Sequence, residues 1–359
     1  MKSTVKKLKY VTLSVAAAML LAACGDKEAA TPASAEKVYE LKVGYGQSTG
    51  ATLFDIAELE GFFEDENLEV TGVGFASSAD GLNALQAGKI DVGMTFGTAA
   101  PLTFIANGSD FSIIGGHLEG GHPILARPEN ADDYQTLEDF KGKRVGTIRM
   151  FTSDIVFRGA LADVGIDWAT DLQIMEFKTG GDLLQAVSSG KVDVAVSAGS
   201  TYLAAQESGL EAIMWSNDLN PTHVCCRIVT QTDDLTEDDG EAYKRFLKAL
   251  IRAERVKNED PEKAVAASMK HYKLDEETVD SIVNEENANY SADPNAAEVT
   301  KMWQQLQDIG YVADVEDIVI ENHIFTDLYT QALEELKTDH PEDVAYYEEL
   351  EKRFAEQNA

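Results

Sequence analysis

The chain has 359 residues, 44% of them hydrophobic, and a formal net charge of −33 at pH 7. This length and composition are sufficient for two globular domains of medium size. The acidic balance argues against a nucleic-acid-binding protein, which needs a basic face, and indicates a solvated acidic surface.

The first 23 residues have the pattern of an export signal. Four lysines precede the apolar segment VTLSVAAAMLLAA, which is too short for a stable membrane span. The segment continues into LAACG around Cys24, which resembles the lipobox of bacterial lipoproteins. We therefore predict a signal peptide over 1–23, acylation of Cys24 and a flexible tether over 24–36. These would hold the protein at the extracytoplasmic face of the cell membrane through a lipid anchor.

Strand and helix patterns then alternate in two successive sets. The first set has predicted strands at 40–45, 69–75, 90–96 and 111–116, with helices at 51–63, at 80–87 and from the segment TFGTAAP onward. The second has strands at 143–148, 172–177, 192–197 and 212–215, with helices at 152–164 and 181–188. This alternation predicts parallel strands with helices on the faces of each sheet.

One short segment occurs in both sets. GKIDVG begins at Gly88 and GKVDVAV begins at Gly190, and each follows a predicted helix. Both fall on the third strand of their set. The repetition predicts two α/β domains built on one plan.

The first set is short for a domain, so we expect the chain to return to it. A strand pattern, THVCCRIVT, lies at 222–230, and the pattern after 233 is helical to the end of the chain. We predict one domain from 37–120 with 223–359, whose C-terminal helices cover its sheet, and a second domain from 121–222. Two chain crossings between them, near 116–123 and near 220–226, would form the hinge.

Hydroxyl-bearing residues recur where the predicted strands end and helices begin. Ligands of open α/β sheets bind at these points, near free N–H groups of helix N-termini. The candidate ligand contacts are Ser48, Thr49, Ser77, Ser78, Thr98, Thr152, Ser153 and Ser200. Helix capping would account for any one of them, but their recurrence in both sets favours a ligand-lined cleft.

Four other residues have two interpretations each. Arg149 follows a strand and would either bind an anionic ligand or pair with a nearby acid. Phe151 and Tyr202 would either stack on a flat ligand or pack in the core. His117 lies near the first crossing and is a further candidate contact.

The sequence has no GxSxG, HExxH, P-loop or GxGxxG motif after a strand, so we predict no catalytic residues. Besides Cys24, only Cys225 and Cys226 are cysteines, which excludes a disulfide framework. Neighbours on a regular strand face opposite sides, so we predict two buried thiols and no zinc site or vicinal disulfide. No metal and no cofactor are expected.

Four segments resemble, in order, signatures of the solute-binding proteins of nitrate, sulfonate, taurine and thiamine-precursor ABC importers. They are GFFEDENLEV, LQAGKIDVG, ANGSDFSIIGG and DFKGKRVGT. The resemblance implies a type II periplasmic-binding-protein fold, in which two α/β domains are joined by a two-segment hinge. It also implies a monomeric, non-enzymatic protein that delivers a small solute to an ABC permease and its ATPase.

Two other functions stay open. HVCCR at 223–227 is similar to part of a longer cysteine-rich stretch in related thiamine-pyrimidine synthases. Such an enzyme needs a pyridoxal cofactor, and the sequence shows no lysine placed to bind it. A lipoprotein that senses its solute is the other alternative. The solute itself is either a sulfonate-like anion or a flat heterocycle.

Overall fold

The computed structural model describes residues 37–47, 50–235 and 237–358, without the side chains of 237–239 and 271. The signal peptide, the tether, Cys24, Ser48 and Thr49 lie outside the described residues. Residues 37–359 form one compact unit. Among the described residues, no helix combines the length and the hydropathy that crossing a membrane requires.

The described strands form two sheets. The first sheet has six strands in the order β11-β4-β10-β3-β1-β2. Its strands are β1 (Tyr39–Gly46), β2 (Leu68–Phe75), β3 (Val92–Gly93), β4 (Phe111–Gly120), β10 (Val224–Gln231) and β11 (Ala288–Tyr290). The second sheet has five strands in the order β7-β6-β8-β5-β9. Its strands are β5 (Pro123–Ala126), β6 (Arg144–Thr147), β7 (Gln173–Glu176), β8 (Val194–Val196) and β9 (Glu211–Trp215).

The two sheets share one topology. The first three strands of each set are parallel neighbours, in the orders β2-β1-β3 and β7-β6-β8. The strand beside each of these three-stranded groups runs antiparallel to both of its neighbours. In the first sheet β10 lies between β3 and β4, and in the second sheet β5 lies between β8 and β9. The prediction of parallel pairing is therefore wrong for β4 and β9. The physical reason is that β10 and β5 arrive from the other set and enter each sheet in the opposite direction.

The repeated segment has the same role in both sheets. Asp91 accepts a hydrogen bond from the backbone N–H of Lys42, with an N–O distance of 2.7 Å. Asp193 accepts one from the N–H of Arg144 at 2.9 Å. Each aspartate thus fixes the third strand beside the first strand of its set. The ordered strands are shorter than predicted, since β3 covers only two residues of the expected 90–96.

The helices largely follow the predicted pattern. They are α1 (Thr52–Leu59), α2 (Phe62–Asp65), α3 (Ser78–Gln86), α4 (Ala99–Ala106), α5 (Thr152–Asp163), α6 (Gly180–Ser188), α7 (Tyr202–Glu207), α8 (Ser216–Leu219), α9 (Glu237–Glu259), α10 (Pro261–Tyr272), α11 (Glu276–Val283), α12 (Ala296–Asp308), α13 (Asp327–Asp339) and α14 (Val344–Gln357). The single helix predicted over 51–63 is wrong. Gly61 adopts a φ of 74° and separates α1 from α2, and this left-handed conformation suits glycine.

The long helix α9 covers one face of the first sheet. Phe246, Leu250 and Ala253 recur at helical spacing and are fully buried. They share a core with Leu41 and Val43 of β1, and that core also contains residues of α10, α11, α13 and α14. Burying an aliphatic or aromatic side chain contributes about 1.5–3 kcal/mol, so this interface is a major source of stability. The division into two domains stays a prediction.

Candidate functional site

A cleft of 440 Å³ lies where strand ends of both sheets meet. Ser77 and Ser78 line it after β2, and Thr95 lines it after β3. From the second sheet, Arg149 and Phe151 follow β6, and Lys178 follows β7. This volume is typical of small-molecule sites. The structure therefore brings together four of the predicted contacts: Ser77, Ser78, Arg149 and Phe151.

Positive charge in the cleft comes from Arg149 and Lys178. The Arg149 guanidinium stacks on the Tyr311 ring, 4.1 Å from its centroid. Its Nη1 lies 3.4 Å from Oε1 of Glu176, and both side chains are about half exposed. Pairing with an acid, one of the two interpretations of Arg149, thus describes this state. Exposed ion pairs at this separation are weak, so a ligand anion can compete with Glu176.

The first-sheet side of the cleft combines hydroxyls with aromatic rings. The Ser77 hydroxyl caps α3 by accepting from Asp80 N–H at 3.1 Å, as helix capping predicts. Ser78 begins α3. Phe75 and Phe104 line the same cleft, and the Phe151 ring opposite them is 46% exposed. An exposed phenylalanine beside two cations suits a ligand with an anionic head and an apolar body.

Two predicted contacts meet at a backbone carbonyl. The Thr98 hydroxyl donates to the Cys225 carbonyl oxygen at 3.0 Å, and the Thr152 hydroxyl donates to the same oxygen at 3.3 Å. Thr98 is the N-cap residue of α4, and Thr152 is the first residue of α5. We call this arrangement the Cys225 carbonyl clamp. Ser153, the next residue of α5, is 3% exposed.

A second, smaller cavity of 70 Å³ lies at the two chain crossings. His117, His122, Ser200, Cys225 and Cys226 are among its lining residues. Within the described part of the chain, Nδ1 of His117 and both ring nitrogens of His122 have no hydrogen-bond partner. Imidazole nitrogens without partners remain free to bond a small polar molecule.

The imidazoles at this cavity are neutral. Burial lowers the pKa of His117 to about 3, and the buried Arg227 guanidinium contributes to the same shift. Burial also lowers the pKa of His122 to about 3, with a smaller contribution from His223. The rings of His122 and His223 lie 5.7 Å apart. Sequence reasoning missed His122 as a site residue, although it lies in the predicted first crossing.

Tyr202 lies apart from the 440 Å³ cleft. Its ring packs edge-on against Trp215, with 4.9 Å between centroids. The structure thus shows a packing contact for the partly buried Tyr202, and its stacking on a ligand stays a prediction.

Cys225 and Cys226 are buried free thiols, as predicted. The assumption of a regular strand is wrong, however, because β10 shifts register on both sides of Cys226. This bulge places the two sulfur atoms 3.6 Å apart on one side of the strand. The two sulfur atoms hydrogen-bond to each other, and this interaction lowers the pKa of Cys226. The same interaction and burial raise the pKa of Cys225.

Among residues 37–47, 50–235 and 237–358, no group of three or more histidine, cysteine or acidic side chains is arranged to hold a metal ion. The two crossing segments instead contribute neutral imidazoles and thiols. The imidazoles can form hydrogen bonds, and the thiols can be oxidised.

Comparison with known proteins identifies the fold. The family model described as NMT1/THI5 like matches residues 49–264. The crystal structure of the periplasmic aliphatic sulphonate binding protein SsuA from Escherichia coli superposes with a TM-score of 0.68 and 21% identity, covering 80% of this chain and 92% of that one. The periplasmic nitrate-binding protein NrtA from Synechocystis PCC 6803 gives a TM-score of 0.68 and 16% identity, covering 84% and 90%. The predicted periplasmic-binding-protein fold and the family resemblance are confirmed.

One curated relative is an enzyme. The 4-amino-5-hydroxymethyl-2-methylpyrimidine phosphate synthase of Candida albicans (strain WO-1) is 23% identical over 210 residues, which cover 55% of this chain and 60% of that protein. The sequence showed no lysine placed for a pyridoxal cofactor, but the structure places Lys178 at the edge of the cleft.

Proposed function

Because the chain belongs to the NMT1/THI5-like family, we propose that it is the extracytoplasmic solute-binding protein of an ABC importer and takes an organic anion. The observation that carries this proposal is the 440 Å³ cleft with Arg149 and Lys178 on one wall. The opposite wall supplies the N-terminus of α3, whose N–H groups and dipole favour an anion.

The aromatic lining favours an anion with an apolar body over a small inorganic ion. Phe75, Phe104 and Phe151 line the same cleft as the cationic groups. Nitrate would leave these rings in contact with water, whereas an alkyl or aryl sulfonate would cover them. Covering apolar surface contributes about 25 cal/mol per Å², which adds to the charge interaction.

Capture is proposed to follow closure of two domains, 37–120 with 223–359 and 121–222. Ser78 comes from the first range and Arg149 from the second, so a ligand that bonds both favours the closed state. The Cys225 carbonyl clamp connects the same two ranges, because it joins Thr98 to Thr152. The clamp lies at the proposed hinge.

Anchoring and delivery complete the proposal. The segment before Cys24 supports export and acylation, and the acidic chain supports solubility at the membrane surface. Metabolic labelling with a fatty-acid analogue tests the anchor directly. Label should appear on the natural chain and be absent from Cys24→Ser; label retained by the variant would contradict acylation at this residue.

The proposed solute class is tested on the soluble form that begins at Gly25, which contains the whole compact unit. Thermal shift and calorimetry are run with ethanesulfonate, benzenesulfonate, nitrate and a methylated aminopyrimidine. A ligand at about a hundred times its Kd stabilises by roughly 2.7 kcal/mol, a visible shift. Sulfonate binding supports the proposal, and binding of the pyrimidine alone would overturn the anion assignment.

Arg149→Gln and Arg255→Gln are the matched pair of variants. Arg255 is also a partly exposed arginine paired with an acid, Glu259, but it lies on α9 away from the cleft. Charge-assisted hydrogen bonds contribute about 1.5–3 kcal/mol, so Arg149→Gln should weaken sulfonate binding by roughly 10- to 150-fold. Equal affinities in the two variants would remove Arg149 from the site.

A synthase function remains a second candidate because Lys178 lines the cleft and a relative is a synthase. Incubation with pyridoxal phosphate decides it. A new absorbance band that disappears in Lys178→Met would favour the enzyme, whereas an unchanged spectrum supports the binding protein.

A further inference from the structure

The two cysteines of β10 are placed for chemistry that the cleft does not use. Their sulfur atoms are 3.6 Å apart, and a disulfide bond is about 2.05 Å long. Both sulfurs lie on one side of the bulged strand and line the 70 Å³ cavity. Forming the bond would therefore require the sulfurs to approach by about 1.5 Å, through rotation of both side chains together with reorientation of the peptide between them.

We propose that Cys225 and Cys226 are a peroxide-oxidisable pair that closes to a vicinal disulfide and releases the Cys225 carbonyl clamp. This proposal concerns β10 and does not depend on which solute the cleft binds.

Burial of the two thiols limits which oxidants can reach them. Cys225 is 8% and Cys226 is 3% exposed, and both line the cavity at the chain crossings. Hydrogen peroxide is small enough to reach such buried sulfur atoms, and the free ring nitrogens of His122 are available to hydrogen-bond it. A peptide disulfide such as oxidised glutathione is too bulky to reach them. The pair is therefore expected to react with peroxide and not by thiol–disulfide exchange.

The reaction balances with peroxide as the only co-reactant. The Cys226 thiolate attacks one peroxide oxygen, forming an S–O bond while the O–O bond breaks and the leaving hydroxide is protonated to water. The Cys225 sulfur then attacks the Cys226 sulfur, the S–O bond breaks, and the hydroxyl leaves as a second water. Two thiols are oxidised to one disulfide, and one hydrogen peroxide is reduced to two waters. The preferred attacker is Cys226, because its sulfur lies 3.6 Å from that of Cys225 and its hydrogen bonds with Cys225 and with the Gly97 backbone lower its pKa.

Ring closure would change the clamp because the Cys225 carbonyl belongs to the new ring. A vicinal disulfide closes an eight-membered ring that contains the Cys225–Cys226 peptide bond. Neighbouring Cα atoms are 3.8 Å apart, which is shorter than the usual span of a disulfide, so the ring is strained and the peptide must reorient. The carbonyl then turns away from the hydroxyls of Thr98 and Thr152. Strain also makes the bond easy to reduce, so the change is reversible.

Thiol chemistry is tested first, on the soluble form that begins at Gly25, in which Cys225 and Cys226 are the only cysteines. After treatment with hydrogen peroxide, the number of free thiols, counted after unfolding the chain, should fall from two to none. The chain should lose the mass of two hydrogens and form no covalent dimer. Dithiothreitol should restore both thiols. Oxidised glutathione should leave the thiols unchanged. Oxygen addition instead of hydrogen loss, a covalent dimer or an equally fast reaction with oxidised glutathione would overturn the proposal. Cys225→Ser should take up oxygen without hydrogen loss.

Release of the clamp is tested by Thr98→Val, with Thr230→Val as the matched control. Thr230 is also buried on β10, and its hydroxyl donates to the Asp91 carbonyl at 2.8 Å, away from the cysteines. In reduced protein each variant should lower Tm by about 2 °C. In oxidised protein the decrease in Tm caused by Thr98→Val should disappear, whereas the decrease in Tm caused by Thr230→Val should persist. An unchanged Thr98→Val loss after disulfide formation would overturn the coupling between the thiols and the clamp.

Discussion

Acidification from pH 7.5 to pH 5.5 should destabilise the fold through His117 and His122. In the folded chain burial lowers the pKa of each imidazole to about 3. In the unfolded chain each returns to its ordinary value of 6.5. Unfolding therefore takes up protons between these two values. The stability from the neutral imidazoles is fully present above about pH 6.5 and is lost progressively as the pH falls toward 3.

The size of the effect follows from these pKa values. At pH 5.5 an unfolded histidine is roughly 90% protonated, whereas the folded one stays neutral. This difference lowers the free energy of unfolding by about 1.4 kcal/mol for each histidine and about 2.7 kcal/mol for both. Unfolded carboxylates contribute little in this window, because aspartate and glutamate are ionised above about pH 5. Burial raises the pKa of Asp293 in the folded chain, but its contribution is common to the natural chain and its histidine variants.

Urea unfolding followed by tryptophan fluorescence at pH 7.5, 6.5 and 5.5 measures this loss. The free energy of unfolding is measured for the natural chain and for the double variant His117→Gln/His122→Gln. For each protein, the loss on acidification is calculated relative to its own value at pH 7.5. The double variant should lose about 2.7 kcal/mol less on acidification. Burial of His223 also lowers its pKa, but this contribution is common to both proteins. If both proteins lose the same free energy, the two imidazoles are not buried in the neutral form and the argument fails.

Four further substitutions test the architecture by urea unfolding. Asp91→Ala and Asp193→Ala should each lose about 1–3 kcal/mol, because each leaves a strand N–H without its acceptor. Gly116→Ala should lose about 2 kcal/mol or more, because its Cβ would lie 1.9 Å from a nitrogen of Arg227. Tyr311→Phe should lose about 1.5–3 kcal/mol, because its hydroxyl donates to an α5 carboxylate at 2.6 Å.

The aspartate and glycine substitutions have control variants, and every prediction has an outcome that would contradict it. Asp163→Ala, at the exposed end of α5, should change stability little, and an equal loss there would contradict the role of the repeated aspartates. Gly209→Ala has no neighbour within 4 Å of its Cβ. It carries only the strain of a left-handed residue, so a loss as large as that of Gly116→Ala would contradict the close contact. A Tyr311→Phe protein as stable as the natural chain would show that this hydroxyl bond is replaced by water.

Local features of the fold could be predicted from the sequence because they depend on neighbours in the chain. Apolar spacing placed most helices within a few residues. Ser77 and its capping bond to Asp80 follow from residue type alone. The GKxDV repeat predicted equivalent third strands, and the hydrogen bonds of Asp91 and Asp193 give the physical reason for the repetition.

Non-local features could not be predicted in this way. The direction of β10 depends on where the chain returns after residue 222, which periodicity does not encode. The bulge at Cys226 breaks the alternation from which opposite-facing thiols were predicted. The contacts of Arg149 are made with Glu176 and Tyr311, and both of these residues are distant from it in sequence. For the candidate site, therefore, the sequence predicted the residue types and their positions at strand ends. It did not predict which side chains contact one another there.

The symmetric insertion of β5 and β10 explains why thiols, imidazoles and the clamp lie together. Each of these strands follows directly from a chain crossing, at Gly121–His122 and at 220–223. The crossings run side by side, since the Gly120 N–H donates to the His223 carbonyl at 3.2 Å. Any rotation of one proposed domain against the other must change backbone torsions here, because only these two segments connect the ranges. The Cys225 carbonyl is bonded from both ranges, so its bonds can persist in one relative orientation and weaken in others. A chemical change at Cys225 therefore acts within one of the two segments through which such a rotation would have to pass.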